Sequence, residues 1–235
     1  MFEGSNLLEA LRDEDRRLFE PYVTRCEFKS GQVLYDPGES VDHCHLPLDG
    51  AIGSFFVLLD SGVAVETVMV GREGALGGIV SHGKLPSYAR STVMHGGAFL
   101  RIGMADLERL KQESITIRSL FARYADCLMA QVFQSIACNA IHTIEQRAAK
   151  WLTAAVDRTG KHDISMTQEQ LASMMGIGRS YASRVVQRFK QDGQVRTRRG
   201  GIEVIDIEGL TRRSCNCNDM VKAHFQAVLG GVYPE

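Results

Sequence analysis

Residues 167–191, TQEQLASMMGIGRSYASRVVQRFKQ, form the stretch that decides the fold of the C-terminal part of this chain. Thr167 and Gln170 have the spacing of a capping box, which predicts that a short helix begins there. Gly176-Ile177-Gly178 interrupts this helix, because glycine permits a sharp turn and a positive φ. A second helix follows and is predicted to end at Gly193. Two short helices joined by a glycine turn are typical of a helix-turn-helix unit.

The second helix has a buried stripe and a polar face. Its apolar residues recur at i, i+3, i+4 and i+7, which predicts that they point inward. They are Ala182, Val185, Val186 and Phe189. Polar residues occupy the outward face. They are Arg179, Ser180, Ser183, Arg184 and Gln187.

This outward face suits the major groove of DNA, which admits one α-helix. Arginine offers a fork of donors to guanine, and serine can contact a base edge. The predicted base-reading residues are Arg179, Ser180, Ser183 and Arg184. Other residues are better placed for phosphates, which position a protein without reading sequence. They are Thr167, Gln168, Arg188, Lys190 and, in the next segment, Arg198.

Residues 195–206, VRTRRGGIEVID, predict a two-stranded hairpin, or wing, with a basic tip. Apolar and polar residues alternate on both sides of Gly200-Gly201, where the chain can turn tightly. Residues 161–213 hold 10 Lys/Arg and 6 Asp/Glu, whereas residues 1–135 hold 13 and 18. A basic region on an otherwise acidic chain indicates nucleic acid. The alternative is a helical hairpin that packs on the N-terminal domain with solvated arginines, but the combined pattern favours double-stranded DNA.

The upstream part of the chain has a different hydropathy pattern. From about 25 to 103, short apolar or alternating runs separated by Gly, Pro and Asp predict a small β-barrel or sandwich. Residues 105–139 lack Gly and Pro and predict a long helix, about 34 Å over residues 117–139. Its apolar belt is wide enough to cover the barrel and also a second copy of itself. The alternative is a helix buried only within its own chain.

Composition and the termini limit the remaining possibilities. The 235 residues are 44% hydrophobic and 23% charged, which excludes collagen-like and fully disordered classes. Apolar runs stay below the roughly 18 residues of a bilayer span, and the acidic N-terminus differs from a signal peptide. The six scattered cysteines are not a disulfide framework. We therefore expect a cytoplasmic protein that does not associate with membranes.

These segments together resemble the Crp/Fnr family of bacterial transcription regulators. Residues 167–206 resemble its winged helix-turn-helix, and GQVLYDPGE (31–39), VGREGALGG (70–78) and YARSTV (88–93) resemble its cyclic-nucleotide-binding-like β-roll. The resemblance implies a homodimer on a palindromic operator, contact with RNA polymerase, an effector in the β-roll and no catalysis. The implied architecture is an α+β fold in four parts. They are a β-roll sensor (1–104), a dimerisation helix (105–139), a winged helix-turn-helix domain (140–213) and a C-terminal tail (214–235).

The chain departs from the family pattern at several positions. Ser180 replaces the Glu that accepts from cytosine in members reading a TGTGA-type half-site, and Gly178 replaces the usual Ser cap.

Cyclic-AMP-binding members use a Gly-Glu-Leu segment and an Arg-Ser pair. Arg90-Ser91 matches the pair, but Gly77-Gly78-Ile79 lacks the carboxylate, which argues against cyclic AMP. Arg90 could instead form a salt bridge.

Several residues could hold a metal ion, and one such set would suit an enzyme instead of a DNA-binding regulator. Cys26 and Cys44 are too few and too far apart for the family's N-terminal iron–sulfur cluster. Cys215 and Cys217, with His224, offer three zinc ligands, but a closed zinc site wants four, so ordinary free thiols and no cofactor are expected. His43 and His45 could instead chelate a metal in a cupin-like enzyme. That alternative leaves the helix-turn-helix pattern unexplained.

Overall fold

Seven antiparallel strands form the N-terminal β-roll. The computed structural model describes residues 2–79 and 85–233. The strands are β1 (Val23–Phe28), β2 (Val33–Tyr35), β3 (His43–Pro47), β4 (Ile52–Leu58), β5 (Ala64–Val70), β6 (Arg90–His95) and β7 (Gly97–Gly103). They form one sheet in the order β1-β7-β3 and a second in the order β2-β6-β4-β5. The alternating runs of the sequence therefore fold as the predicted β-structure.

Four helices flank the β-roll along the chain. They are α1 (Asn6–Glu9), α2 (Asp13–Arg17), α3 (Met104–Glu113) and α4 (Ile115–Ile141). The segment predicted as one helix over 105–139 is thus two helices, which meet at Ser114. The Ser114 hydroxyl accepts from the Ile117 backbone N–H at 3.2 Å and donates to Asp15 Oδ1 at 3.0 Å. Ser114 has an extended backbone, so α3 ends and α4 begins there without any Gly or Pro.

The long helix α4 contacts both the β-roll and the C-terminal tail. Tyr124 is fully buried, and its hydroxyl donates to the Ala75 carbonyl of the β-roll at 3.0 Å. The tail forms α9 (Cys217–Leu229), whose Phe225 ring lies 6.3 Å from the Tyr124 ring. Arg123 donates to the Val228 carbonyl at 2.8 Å. The tail therefore folds as a helix, and α4 provides its packing surface.

The C-terminal domain packs helices on a small antiparallel sheet of order β8-β10-β9. Its elements are α5 (Ile144–Thr159), β8 (Asp163–Ile164), α6 (Gln168–Met175), α7 (Arg179–Gln191), β9 (Val195–Arg198), β10 (Gly201–Val204) and α8 (Ile207–Arg213). Leu152, Phe189 and Ile202 are fully buried at its centre. The same hydrophobic cluster includes Ile52 and Met69 of the β-roll, so one core spans both domains.

The α+β fold class predicted from the sequence is confirmed by this arrangement. Within residues 2–79 and 85–233, every helix is too short or too polar to cross a bilayer.

Candidate nucleic-acid interface

The first helix of the predicted helix-turn-helix unit is fixed at both ends. The Thr167 hydroxyl accepts from the Gln170 backbone N–H at 3.1 Å, and Gln170 Oε1 accepts from the Thr167 N–H at 2.8 Å. The predicted capping box is therefore confirmed. Gly176 ends α6 with φ +65°, in the left-handed region where glycine carries no steric penalty. The chain then turns within two residues into α7.

The second helix, α7, is held by its apolar face. The four residues predicted as its inward stripe are all buried. They are Ala182, Val185, Val186 and Phe189. Gly178 is the N-cap, as expected, and offers no side-chain cap. Gly193 follows the C-cap Asp192 with φ +73°. Because this face is buried, the opposite face of α7 must point to solvent.

That opposite face forms an exposed ridge that carries two arginines. Arg179, Ser180 and Arg184 are exposed, whereas Ser183 is only half-exposed and is set back from the ridge. The Arg184 guanidinium carbon lies 5.1 Å from the ring centroid of Tyr181. Such a cation–π contact orients the guanidinium without using its hydrogen-bond donors. Sequence reasoning missed Tyr181, although its position three residues before Arg184 placed it on the same face.

The arginines predicted to contact phosphates already have carboxylate partners. Arg188 pairs with Glu145 at 3.0 Å, and Arg198 pairs with Asp163. The Arg198 pair is exposed, and the Arg188 pair joins an exposed arginine to a half-exposed glutamate. Ion pairs in contact with solvent contribute little stability, so a phosphate can replace the carboxylate at small cost. The wing turns at Gly200, whose φ is +77°. Arg198 and Arg199 are exposed at the resulting tip.

The polar residues at the start of α6 are available to a ligand. Thr167 is exposed and Gln168 is half-exposed. They lie at the N-terminal end of α6, where unpaired backbone N–H groups and the helix dipole favour an anion. The structure therefore presents the predicted base-reading and phosphate-contacting residues on the surfaces of α6, α7 and the wing, with Gln168 and Ser183 only half-exposed.

Of the two candidate effector residues of the β-roll, Arg90 is already paired and Ser91 is buried. Arg90 Nε lies 2.5 Å from Asp36 Oδ1, which matches the salt-bridge alternative for Arg90. Ser91 is fully buried on β6. Lys111 donates to the carbonyls of Gly78 and Ile79 at 3.0 and 2.6 Å, so the segment that replaces Gly-Glu-Leu is bound to α3. Binding an anion at Arg90 would require Asp36 to move.

The two histidines of the cupin alternative lie on β3 with ring centroids 6.1 Å apart. His45 is buried, and desolvation, with smaller contributions from His43 and Arg101, lowers its pKa to about 4. In the part of the chain that the structure describes, His43 and His45 belong to no group of three potential metal ligands. Nothing in this geometry supports a cupin-like enzyme.

Comparison with known proteins extends this picture. Residues 146–213 match the family model of the Crp-like helix-turn-helix domain. No curated protein matches the chain. Three solved structures illustrate the similarity of the fold. FixK2 from Bradyrhizobium japonicum has a TM-score of 0.68 and 12% identity, and the match covers 82% of this chain and 98% of that chain. The c-di-GMP responsive global regulator CLP from Xanthomonas campestris has a TM-score of 0.65 and 14% identity, with 82% of this chain and 99% of that chain covered. A CRP family transcriptional regulator from Thermus thermophilus has a TM-score of 0.66 and 16% identity, with 80% of this chain and 96% of that chain covered.

These identities are low, so the structural matches show only that the fold is shared. The family model shows that the C-terminal domain is a Crp-like helix-turn-helix domain. The matched residues run from α5 to the end of α8 and include the ridge of α7 and the wing. The chain therefore carries a Crp-like helix-turn-helix domain and has the fold of the Crp/Fnr transcription regulators.

Proposed function

We propose that this chain is a DNA-binding transcription regulator of the Crp/Fnr type that acts as a homodimer. One observation carries the proposal. The ridge of α7 presents Arg179 and Arg184 to solvent, while its opposite face is anchored in the core and the basic tip of the wing stands beside it. A helix presented in this way can enter the major groove.

The roles of the side chains follow from their positions. Arg179, Ser180 and Arg184 contact base edges, and the half-exposed Ser183 contributes at the margin of the ridge. Phosphates are bound by the start of α6 and by the basic residues around the ridge. These are Thr167, Gln168, Arg188 and Arg198. The Arg188 and Arg198 side chains exchange their carboxylate partners for phosphates when DNA binds.

An exposed apolar stripe on α4 supports the homodimer. Met129, Phe133 and Ile136 fall at i, i+4 and i+7, with 53%, 64% and 63% of their surface exposed. An apolar stripe of this kind on a long helix is typical of a dimer seam. Two copies paired along α4 would present their α7 helices to successive major grooves of a palindromic operator.

The β-roll does not favour cyclic AMP as the effector. The Arg90 guanidinium is held by Asp36, and the segment from Gly77 to Ile79 lacks the carboxylate that takes the ribose hydroxyl. The proposal therefore includes no cofactor. Contact with RNA polymerase and a cytoplasmic location belong to the same proposal, because a regulator of transcription acts where DNA and polymerase meet.

Selection of bound duplexes from a random DNA pool tests the proposed function. We expect enrichment of a palindrome whose half-sites are about one helical turn, roughly 34 Å, apart. The selection is repeated with the double variant Arg179→Ala/Arg184→Ala and with Arg25→Ala, which removes an exposed arginine of β1. Loss of the motif with the double variant alone supports the proposal. A pool without any enriched motif, or a motif that the double variant retains, overturns it.

A further inference from the structure

Three cysteines and a histidine meet where α4 ends and α9 begins. Cys138 lies in the last turn of α4, His142 is its C-cap, Cys215 precedes α9 and Cys217 is the first residue of α9. Their ligand atoms all lie within 4.8 Å of one another. This is the one such group among the described residues, and its three thiols are buried. They form a cluster separate from the aliphatic cores.

Two distances within the group match the edges of a tetrahedron around one ion. Cys138 Sγ lies 3.7 Å from Cys215 Sγ, and Cys217 Sγ lies 3.5 Å from His142 Nδ1. Zinc bonds of about 2.3 Å to sulfur and about 2.0 Å to nitrogen give a sulfur–sulfur edge of about 3.8 Å and a sulfur–nitrogen edge of about 3.5 Å. These two pairs therefore already have the spacing that a bound ion would impose, and the remaining ligand atoms lie within 4.8 Å of one another.

We propose that Cys138, His142, Cys215 and Cys217 form a tetrahedral site for a structural Zn²⁺ ion. The donor set, three thiolates and one imidazole, is one that zinc takes in closed structural sites. A space bounded by atoms within 4.8 Å of one another holds a single ion rather than a cluster of several irons and sulfides. The site is a different one from the Cys215, Cys217 and His224 set, since His224 is exposed on α9.

A neighbouring cation completes the charge balance. Three thiolates around Zn²⁺ carry a net charge of −1, and Lys150 Nζ lies 3.5 Å from Cys138 Sγ. Lys150 belongs to α5 and so approaches the site from the DNA-binding domain. Partners of this kind outside the ligand set orient and stabilise metal ligands.

The site joins parts of the chain that are far apart in sequence. Cys138 and Cys215 are separated by 77 residues. A bound ion would fasten the end of the helix that carries the apolar stripe to the segment that follows α8. Zinc therefore fixes the position of the DNA-binding domain and the tail relative to α4, and its binding energy adds to folding.

Metal analysis of the untagged full-length protein tests the site. We expect one zinc per chain in the protein as purified. The variants Cys138→Ser and Cys215→Ser lose it, whereas Cys127→Ser, which changes a buried thiol of α4 outside the group, keeps it. Circular dichroism during heating shows whether each variant folds.

A second measurement on the wild-type chain does not depend on folding of the variants. Replacement of zinc by Co²⁺ should give the thiolate-to-cobalt charge-transfer absorption and the visible bands of tetrahedral Co²⁺. Three results overturn the proposal. They are folded wild-type protein that neither contains zinc nor gives these bands, iron and sulfide in place of zinc, and a Cys138–Cys215 disulfide in protein purified without reductant. None of these measurements uses DNA. A negative result would therefore overturn the zinc site without bearing on the proposed function.

Discussion

Trp151 donates a hydrogen bond from its indole Nε1 to Oε2 of Glu66 at 2.7 Å. Trp151 lies on α5 of the DNA-binding domain and Glu66 on β5 of the β-roll, so the bond crosses the joint between them. Ser54 donates to the other carboxylate oxygen at 2.5 Å. Desolvation raises the pKa of Glu66 to about 7, although both hydrogen bonds oppose the shift. The joint therefore contains a carboxyl group that titrates near neutrality.

We predict that this carboxyl group makes the chain less stable as the pH rises from about 4.5 to about 7. The unfolded chain releases the Glu66 proton near its ordinary pKa of 4.5, whereas the folded chain retains it up to about 7. The stabilising contribution is thus complete below pH 4.5 and lost by pH 7, on the order of 1–3 kcal/mol. Urea denaturation at pH 5 and pH 8 measures it.

The variant Glu66→Gln isolates this effect, because it keeps the shape of the side chain and removes its titration. We expect the free energy of unfolding to fall less between the two pH values in this variant than in the wild type. Equal pH dependence in the two proteins would show that Glu66 titrates normally in the folded chain.

The two arginines of the ridge and the arginine of the wing should affect different properties of DNA binding. We predict that Arg179→Ala and Arg184→Ala each cost roughly 1–3 kcal/mol of discrimination between the selected site and a base-substituted site. Arg198→Ala should weaken all sequences alike and lower the salt slope by about one, because a phosphate contact carries no sequence information. Fluorescence anisotropy titrations at several salt concentrations measure both quantities.

The matched control for these variants is Arg25→Ala, which removes the same charge from an exposed position on β1. It should change neither discrimination nor slope. If Arg198→Ala reduced discrimination and the ridge variants weakened every sequence equally, the assignment of base and phosphate contacts would have to be reversed.

The helix-turn-helix unit was predictable because its signals are local. The capping box of Thr167, the glycine turn and the 3.6-residue period of α7 all act within a few turns of the chain. The break at Ser114 was missed because the segment lacks Gly and Pro, but a serine that precedes an apolar run is itself a start signal. The partners of Arg188 and Arg198 were missed because Glu145 and Asp163 come from other elements.

The cysteine group was missed for a related reason. Spacing alone shows a C-x-C pair and, far upstream, Cys138 four residues before His142. Positions i and i+4 on a helix share a face, so this second pair was a readable signal. Only the packing of α9 on α4, which local sequence patterns do not reveal, brings the two pairs together.

The apolar stripe of α4 should control the oligomeric state. We predict that Phe133→Glu and Ile136→Glu, alone or combined, convert a dimer into a monomer, because charges in an apolar seam are desolvated without partners. Sedimentation velocity measures the state. Met220→Glu, which changes an apolar residue of α9 that is 54% exposed, should leave the dimer intact. A wild-type chain that sediments as a monomer would refute the proposed seam.

The glycines that flank the turn should respond oppositely to substitution. Gly176 has φ +65°, and a Cβ there would lie 3.6 Å from Val65, an ordinary contact. Gly176→Ala should therefore cost about 1–2 kcal/mol through backbone strain alone. Gly178 has φ −69° and open space around it, so Gly178→Ser should instead gain a few tenths of a kcal/mol from a cap at the start of α7. Urea denaturation of both variants measures the difference, and equal effects would contradict the left-handed turn at Gly176.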